Sequence, residues 1–379
     1  MPIQKITIEE FLSLAKQHPV IDVRSPGEFA HAHIPSAISL PLFTDEERKE
    51  VGTAYKQQSR EVAIKIGLDF FGPKMRKMVE EAESIVSGFT LNDSKENERL
   101  KNEQQETKNI LVHCWRGGMR SGAVAWLLDM YGFKVFLLAG GYKAYRKWVL
   151  LQFEKEYNFN IIGGYTGSGK TLLIKELQNQ GKTVIDLEGL ANHKGSAFGA
   201  LENIPQPGQE MFENRLAKSL LVARCSLTGN GDFHTKNEQL TSTIFLEDES
   251  QRIGNLQLPI PLWKTMRKAP VFFIDIPFEE RLNYITSDYG KQNKESLKEA
   301  ILRIQKRLGG LETKNAVNFL DENNYKECFN ILLSYYDKWY YKGLQNRENL
   351  SSLLNKIPCT SVDTKTNTQK LLSCQYVNV

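Results

Sequence analysis

Residues 110–128 read ILVHCWRGGMRSGAVAWLL. The apolar run Ile110-Leu111-Val112 predicts a buried strand. The glycine-rich turn after it, and the small and apolar residues from about Ser121, predict a helix. Cys114 falls where strand meets loop, and Arg116 and Arg120 follow it. A thiol at this point faces several backbone N–H groups of a tight loop, the positive end of a helix and two guanidinium groups. All three favour thiolate over thiol. The pattern suits a nucleophilic sulfur acting on an anionic substrate. A cysteine that only packs needs neither Gly117-Gly118 nor two arginines.

Around this stretch the chain is an ordinary globular sequence. It has 379 residues, 41% hydrophobic and 25% charged, which is room for two domains and a helical appendage. We expect boundaries at 1–150, 151–278 and 279–379. A net charge of +4 permits a local nucleic-acid patch without arguing for one. The five cysteines are far apart and form no CxxC pair or Cys/His cluster, which argues against a disulfide framework and a zinc site. Without a signal-like segment or a long apolar run, the expected setting is cytoplasmic and reduced.

Upstream, Ile8–Gln17 reads as a helix with Thr7 as N-cap, and Val20–Val23 as a strand ending in Asp22-Val-Arg24. The pieces DVRSPGEF (22–29), HIPSAISLP (33–41), the Cys114 loop and VFLLAGGYKAY (135–145) together resemble a rhodanese domain. That resemblance implies a parallel α/β sheet with the cysteine at the C-terminal edge of a central strand, where open sheets place ligands. Asp22 and Arg24 read as a structural ion pair, and His31 and His33 as turn residues. The loop C-W-R-G-G-M-R is one residue longer than in many sulfurtransferase rhodaneses. Its C-x-x-x-x-x-R spacing resembles cysteine phosphatases, so spacing alone leaves phosphatase and chalcogen transfer both open. VGTAYKQQ (51–58) is polar and oddly specific for a linker, and 91–109 is almost wholly polar.

Downstream, Asn158–Ile162 reads as a strand, and Gly164-Tyr-Thr-Gly167-Ser168-Gly169-Lys170-Thr171 fits GxxxxGK[ST] before a helical Leu172–Leu177. In such a phosphate-binding loop the backbone N–H groups converge on phosphate oxygens. Lys170 adds charge at the outer phosphate, and Thr171 can hold Mg²⁺. Thr183–Leu187 and Thr243–Leu246 read as further strands. The second delivers Glu247-Asp248-Glu249, where a P-loop protein keeps a Mg²⁺-ordering carboxylate, so Asp248 or Glu247 is the candidate and Asp275 a rival. Arg252 is expected one helical turn beyond. His193 and Lys194 lie in the glycine-bearing NHKGSAFG and can reach a phosphate. Past residue 278 we expect helices: a capping box at Ser296/Glu299, an apolar stripe Leu297, Ile301, Ile304 and Leu308, and a stop at Gly309-Gly310. LLSYYDKWYYK (332–342) is read as core, with base stacking as the other use of such aromatics. The tail from Ser351 carries no signal.

Taken in order, CWRGGMRS (114–121), VGTAYKQQ, GYTGSGKT (164–171), DLEGLANHKGSAFG (186–199) and LEDESQRIG (246–254) resemble the tRNA 2-selenouridine synthases. The resemblance implies replacement of sulfur by selenium in the wobble 2-thiouridine of tRNA. It implies selenophosphate as donor and an S-geranyl intermediate made from geranyl diphosphate. Gly164–Thr171 would then hold the diphosphate and Lys170 the departing pyrophosphate. Cys114 would carry selenium as a selenylsulfide or assist its delivery, and Arg116 and Arg120 would hold selenophosphate. Three other readings remain: a sulfurtransferase or cysteine phosphatase fused to an NTPase, a nucleotide-switched RNA-binding module, and an enzyme that geranylates thiouridine but never meets selenium.

Overall fold

The computed structural model describes residues 3–93, 108–193, 204–228, 243–290 and 293–375. The chain divides into two compact units that part between Gln152 and Phe153.

The first unit holds strands β1 (Gln4–Ile6), β2 (Val20–Asp22), β3 (Ala37–Ser39), β4 (Asn109–His113) and β5 (Lys134–Leu138). They form one parallel sheet in the order β1-β5-β4-β2-β3, which puts the strand before Cys114 in the middle. Both faces of a central parallel strand are covered, so it reads as an unbroken apolar run. Ile110, Leu111 and Val112 are fully buried. Val124 and Leu128 of the helix Met119–Tyr131 pack into the same core, and each such side chain contributes about 2 kcal/mol by burial. That helix starts at Gly118 and ends at Gly132, whose φ of 110° stops it. Thr7 caps its helix through a capping box, as expected, though the helix closes at Leu14. VGTAYKQQ is no linker. It belongs to the helix Asp45–Gln57, which is followed by Arg60–Phe71 and Met75–Asp93.

The second unit holds β6 (Phe159–Gly163), β7 (Val184–Ile185), β8 (Ile244–Glu247), β9 (Arg252–Ile253), β10 (Leu256–Gln257), β11 (Val271–Asp275) and β12 (Leu354–Pro358). Five of them form a parallel sheet in the order β12-β11-β6-β8-β7, while β9 and β10 make a separate antiparallel hairpin. Arg252 is thus on a hairpin strand, not a helical turn. The tail is also structural: β12 pairs with β11, Val271 opposite Leu354, and Leu371 of the helix Thr364–Gln375 packs with Leu173, Ile174 and Leu177. Between β11 and β12 the chain is helical. Asn293, not Ser296, caps the helix Lys294–Arg303, its side chain accepting the Ser296 N–H at 3.1 Å. Leu297, Ile301 and Leu308 are buried against Phe329, Leu332 and Leu333, with Ile304 at the edge of the same cluster. Gly309, at φ 104°, breaks the run before a new helix at Gly310. Among the described residues no helix is long and apolar enough to cross a membrane.

Candidate active site: two anion-binding loops

In the first unit the loop after β4 is pinned from beneath. Tyr142 donates its N–H to the Cys114 carbonyl at 2.8 Å, and Lys143 donates to that of Trp115 at 3.0 Å. Two glycines make this approach possible. Gly141 has φ 59°, and a Cβ on it would strike the Cys114 carbonyl oxygen; one on Gly117, at φ 64°, would sit 2.7 Å from the Leu138 oxygen. Cys114 is buried, its Sγ 3.2 Å from the Ser121 hydroxyl. Burial pushes the thiol up, but the Ser121 hydroxyl and the N–H groups of Ser121, Arg116 and Gly118 outweigh it, so the thiol lies below its ordinary value. The loop amides and a helix start thus act on the sulfur as expected. The arginines do so less directly. Arg116 is exposed, and Arg120 is held by Glu28, whose carboxylate accepts both ends of the guanidinium at 2.5 and 3.3 Å. Burial would raise the Glu28 carboxyl, but Arg120, the Ser25 N–H and Arg48 bring it down. Glu28 lies inside the SPGEF motif, and only its distance in sequence from Arg120 hid the pairing.

Asp22 and Arg24 form the structural ion pair foreseen for them. Both are buried, with Arg24 Nη2 2.6 Å from Asp22 Oδ2, its second bond to the Ala32 carbonyl and its guanidinium 3.9 Å from the Tyr142 ring centre. Burial raises the Asp22 carboxyl, and His113 and Arg24 together hold it below the usual carboxylate range. His31 ends the helix Pro26–His31 rather than lying in a turn, and His33, just beyond it, stacks on Phe29 and bonds its carbonyl.

In the second unit the loop between β6 and the helix Lys170–Asn179 has Gly164, Gly167 and Gly169 at φ 154°, 80° and 75°. Lys170 folds back, its Nζ donating to the Gly164 carbonyl at 2.8 Å. Thr171 Oγ1 donates to Glu188 at 2.8 Å. The Ser168 hydroxyl is buried without a protein partner and lines the cleft. Arg281, buried, ties the loop to the helical region: it donates to the Thr166 carbonyl at 3.0 Å and to both oxygens of Asp337.

The acids at the end of β8 divide their work. The Glu247 carboxylate is buried and turned inward to accept the Leu187 N–H at 3.1 Å, so it does not reach the cleft. Asp248 lines the cleft, but its oxygens are taken by Arg347 and by Tyr340, whose hydroxyl also accepts the Gly164 N–H at 3.0 Å. The acids beside the loop are Glu188 and Glu249. Burial raises both carboxyls, Glu249 up to about 8, and they hydrogen-bond each other next to Lys170. The sequence contains Glu188 three residues after the β7 strand, but nothing local marked it as the partner of Thr171. His193 lines the cleft with burial lowering its pKa, and Lys194 lies outside the described residues. Asp275 ends β11, where its carbonyl accepts the Cys359 N–H. Among the described residues no cluster of three or more His, Cys, Asp or Glu is arranged to hold a metal ion.

The P-loop opens on a cleft of about 740 Å³. Gly167–Leu172 line it, as do the apolar and aromatic Ile204, Tyr284, Ile285 and Leu344 and the charged Lys175, Asp288 and Arg307.

Both units match known families. Residues 157–357 match the tRNA 2-selenouridine synthase AAA domain, and residues 7–66 and 76–147 the rhodanese-like domain. The chain belongs to the tRNA 2-selenouridine synthase family. It is an enzyme, and its likeness to the family runs through both units. A tRNA 2-selenouridine synthase of Sulfurovum sp. is 35% identical over 89% of this chain and 91% of its own. One from Bdellovibrio bacteriovorus is 32% identical over 92% of this chain and 94% of its own. One from Serratia proteamaculans is 38% identical over 72% of this chain and 64% of its own.

Proposed function

We propose that this enzyme modifies tRNA by selenium transfer, replacing the sulfur of wobble 2-thiouridine in two stages. In the first, the thiocarbonyl sulfur attacks the allylic carbon of geranyl diphosphate. A carbon–sulfur bond forms, the carbon–oxygen bond breaks, and pyrophosphate leaves. In the second, the selenium of selenophosphate attacks the base carbon that bears the S-geranyl group; a carbon–selenium bond forms, the carbon–sulfur bond breaks, geranylthiol leaves with a proton, and water splits the phosphorus–selenium bond to release phosphate.

One observation carries this reading: a phosphate loop and apolar, aromatic side chains share one cleft. In this reading the loop takes the diphosphate and the apolar side chains beside it take the prenyl chain. The loop N–H groups and Lys170 take up the charge of the departing pyrophosphate. Lys170 swings off the Gly164 carbonyl to do so. Thr171 and Glu188 fit Mg²⁺, which would neutralise phosphate charge when bound. In the other unit the lowered Cys114 thiol assists selenium delivery, and the loop amides with Arg116 and Arg120 hold the selenophosphate.

The test is mass spectrometry of wobble nucleosides from 2-thiouridine tRNA incubated with geranyl diphosphate and selenophosphate. Wild type should yield selenouridine. Cys114→Ala should stop at the geranylated nucleoside, and Lys170→Ala should slow geranylation by about 100-fold or more. Selenation that survives in Cys114→Ala removes the cysteine from the mechanism. An unchanged nucleoside with wild type overturns the whole reading and brings forward the phosphatase and RNA-switch alternatives.

A further inference from the structure

The helix Tyr325–Gln345 has two faces. Phe329, Leu332 and Leu333 are buried in the helical core. Tyr335, Lys338, Trp339 and Lys342, spaced i, i+3, i+4 and i+7, share the other face. Together with Arg307 and Asn330 they line a recess of about 560 Å³, within the range of small-ligand pockets. Trp339 is 49% exposed there. Its ring meets the edge of Tyr335 at 6.3 Å, and Lys342 Nζ stands 5.3 Å from its centre. A tryptophan that served only the core would be covered. This one lies open among three cations, with Glu312 the single acid among the described residues that line the recess. Arg307, Tyr335 and Trp339 also line the P-loop cleft, so the two hollows are neighbours.

We propose that this face is a binding site for single-stranded RNA, in which Trp339 stacks an unpaired base with the Tyr335 ring edge-on beside it, while Arg307, Lys338 and Lys342 contact the flanking phosphates. Cations beside open aromatic rings are the physical requirement for holding an unstacked nucleotide: the rings take the base face and the cations take the backbone. A protein partner would want the same aromatics with fewer like charges around them. The shared residues put a base held here beside the cleft proposed for the phosphate donor. The inference rests on the reading that RNA is the substrate, and it specifies the face that grips it.

The experiment is fluorescence anisotropy of the full chain with a 17-nucleotide anticodon stem-loop and, separately, a blunt RNA duplex, across a salt series. Thermal melting of each variant accompanies it. Trp339→Ala should weaken stem-loop binding about 5- to 50-fold, leaving the salt dependence and the melting temperature unchanged; Trp339→Phe should restore most of the affinity. Lys338→Ala combined with Lys342→Ala should lower the slope of log K against log salt by about 1.4. Duplex binding should not depend on Trp339. Wild-type affinity in both Trp339→Ala and the double lysine variant overturns the proposal, as does equal loss for stem-loop and duplex. The underlying reading fails separately: a wild type that binds stem-loop through Trp339 yet modifies no tRNA retains this site and loses the reaction.

Discussion

The two loops solve a similar problem with opposite economies of charge. Each lies between a central parallel strand and a helix N-terminus, and each uses positive-φ glycines to bring backbone N–H groups together. Around Cys114 the amides and a hydroxyl already have something to stabilise, the sulfur itself, and the Arg120 guanidinium is paired with Glu28. Around Lys170 the cation sits on loop carbonyls, and two carboxyls that hydrogen-bond each other face it. The first loop is tuned to keep one negative charge on a side chain. The second is arranged to exchange its internal contacts for a ligand carrying several. That difference suits a nucleophile in one unit and a leaving group in the other.

The sharpest way to break the comparison is through the glycines. An added Cβ on Gly141 meets backbone: the Cys114 oxygen, the Gly117 nitrogen and the Arg116 carbonyl carbon, which cannot step aside singly. An added Cβ on Gly167, at φ 80°, meets the Ile285 side chain at 2.5 Å and the Arg281 carbonyl oxygen only at 3.2 Å, a lighter clash with backbone. Gly141→Ala should therefore destabilise the first unit by about 3 kcal/mol, combining a left-handed conformation with a clash. Gly167→Ala should cost the second unit about 1 kcal/mol. Urea unfolding followed by a probe in each unit would show this, since the two units need not unfold together. Equal losses would mean that the two loops are supported in the same way.

What the sequence disclosed about these loops follows the same division. Cys114 and Gly164–Thr171 were legible because strand, turn and helix are contiguous, and local spacing carries the chemistry. The partners that set their charge were not. Glu28 reaches Arg120, Glu188 reaches Thr171 and Tyr340 reaches Asp248 only through the tertiary fold. Within Glu247-Asp248-Glu249 the strand could be foreseen, but not which acid faces the cleft, because that depends on where β8 ends and its side chains stop alternating. β12 escaped notice because Leu354–Pro358 is short and buries one residue fully, Ile357, so no periodicity marks it. The aromatic run 332–342 was half legible: its inner face is core, as read, and its outer face is not.

A middle-sized effect sharpens the thiol side of the comparison. Ser121 is the side chain nearest the Cys114 sulfur, and its hydroxyl and N–H are among the groups that lower the thiol. Ser121→Ala keeps the N–H and removes the hydroxyl. The thiol should rise, and alkylation of Cys114 by iodoacetamide at pH 7 should slow about 5- to 10-fold. Above the pKa of both forms the rates should converge. A pH–rate profile of each protein measures this. Unchanged rates at pH 7 would leave the amides alone in charge of the sulfur.

The smallest effect at neutral pH belongs to the acid pair. Burial raises Glu249 to about 8 and raises Glu188 as well, so the folded protein holds a proton at pH 7 that unfolded glutamates, near 4.5, have released. A raised folded pKa contributes stability that is complete below the unfolded value and fades as pH rises through the folded one. Wild type should therefore lose stability between about pH 5 and 8 from this pair. Glu249→Gln keeps a neutral hydrogen-bonding side chain and leaves Glu188 to ionise beside Lys170 and Thr171. Its melting temperature at pH 5 should stay close to wild type, and by pH 8 it should exceed wild type. Parallel melting curves across that range would show that the pair shares no proton. The P-loop would then face its ligand with two negative charges, and the contrast with the Cys114 loop would rest on Lys170 alone.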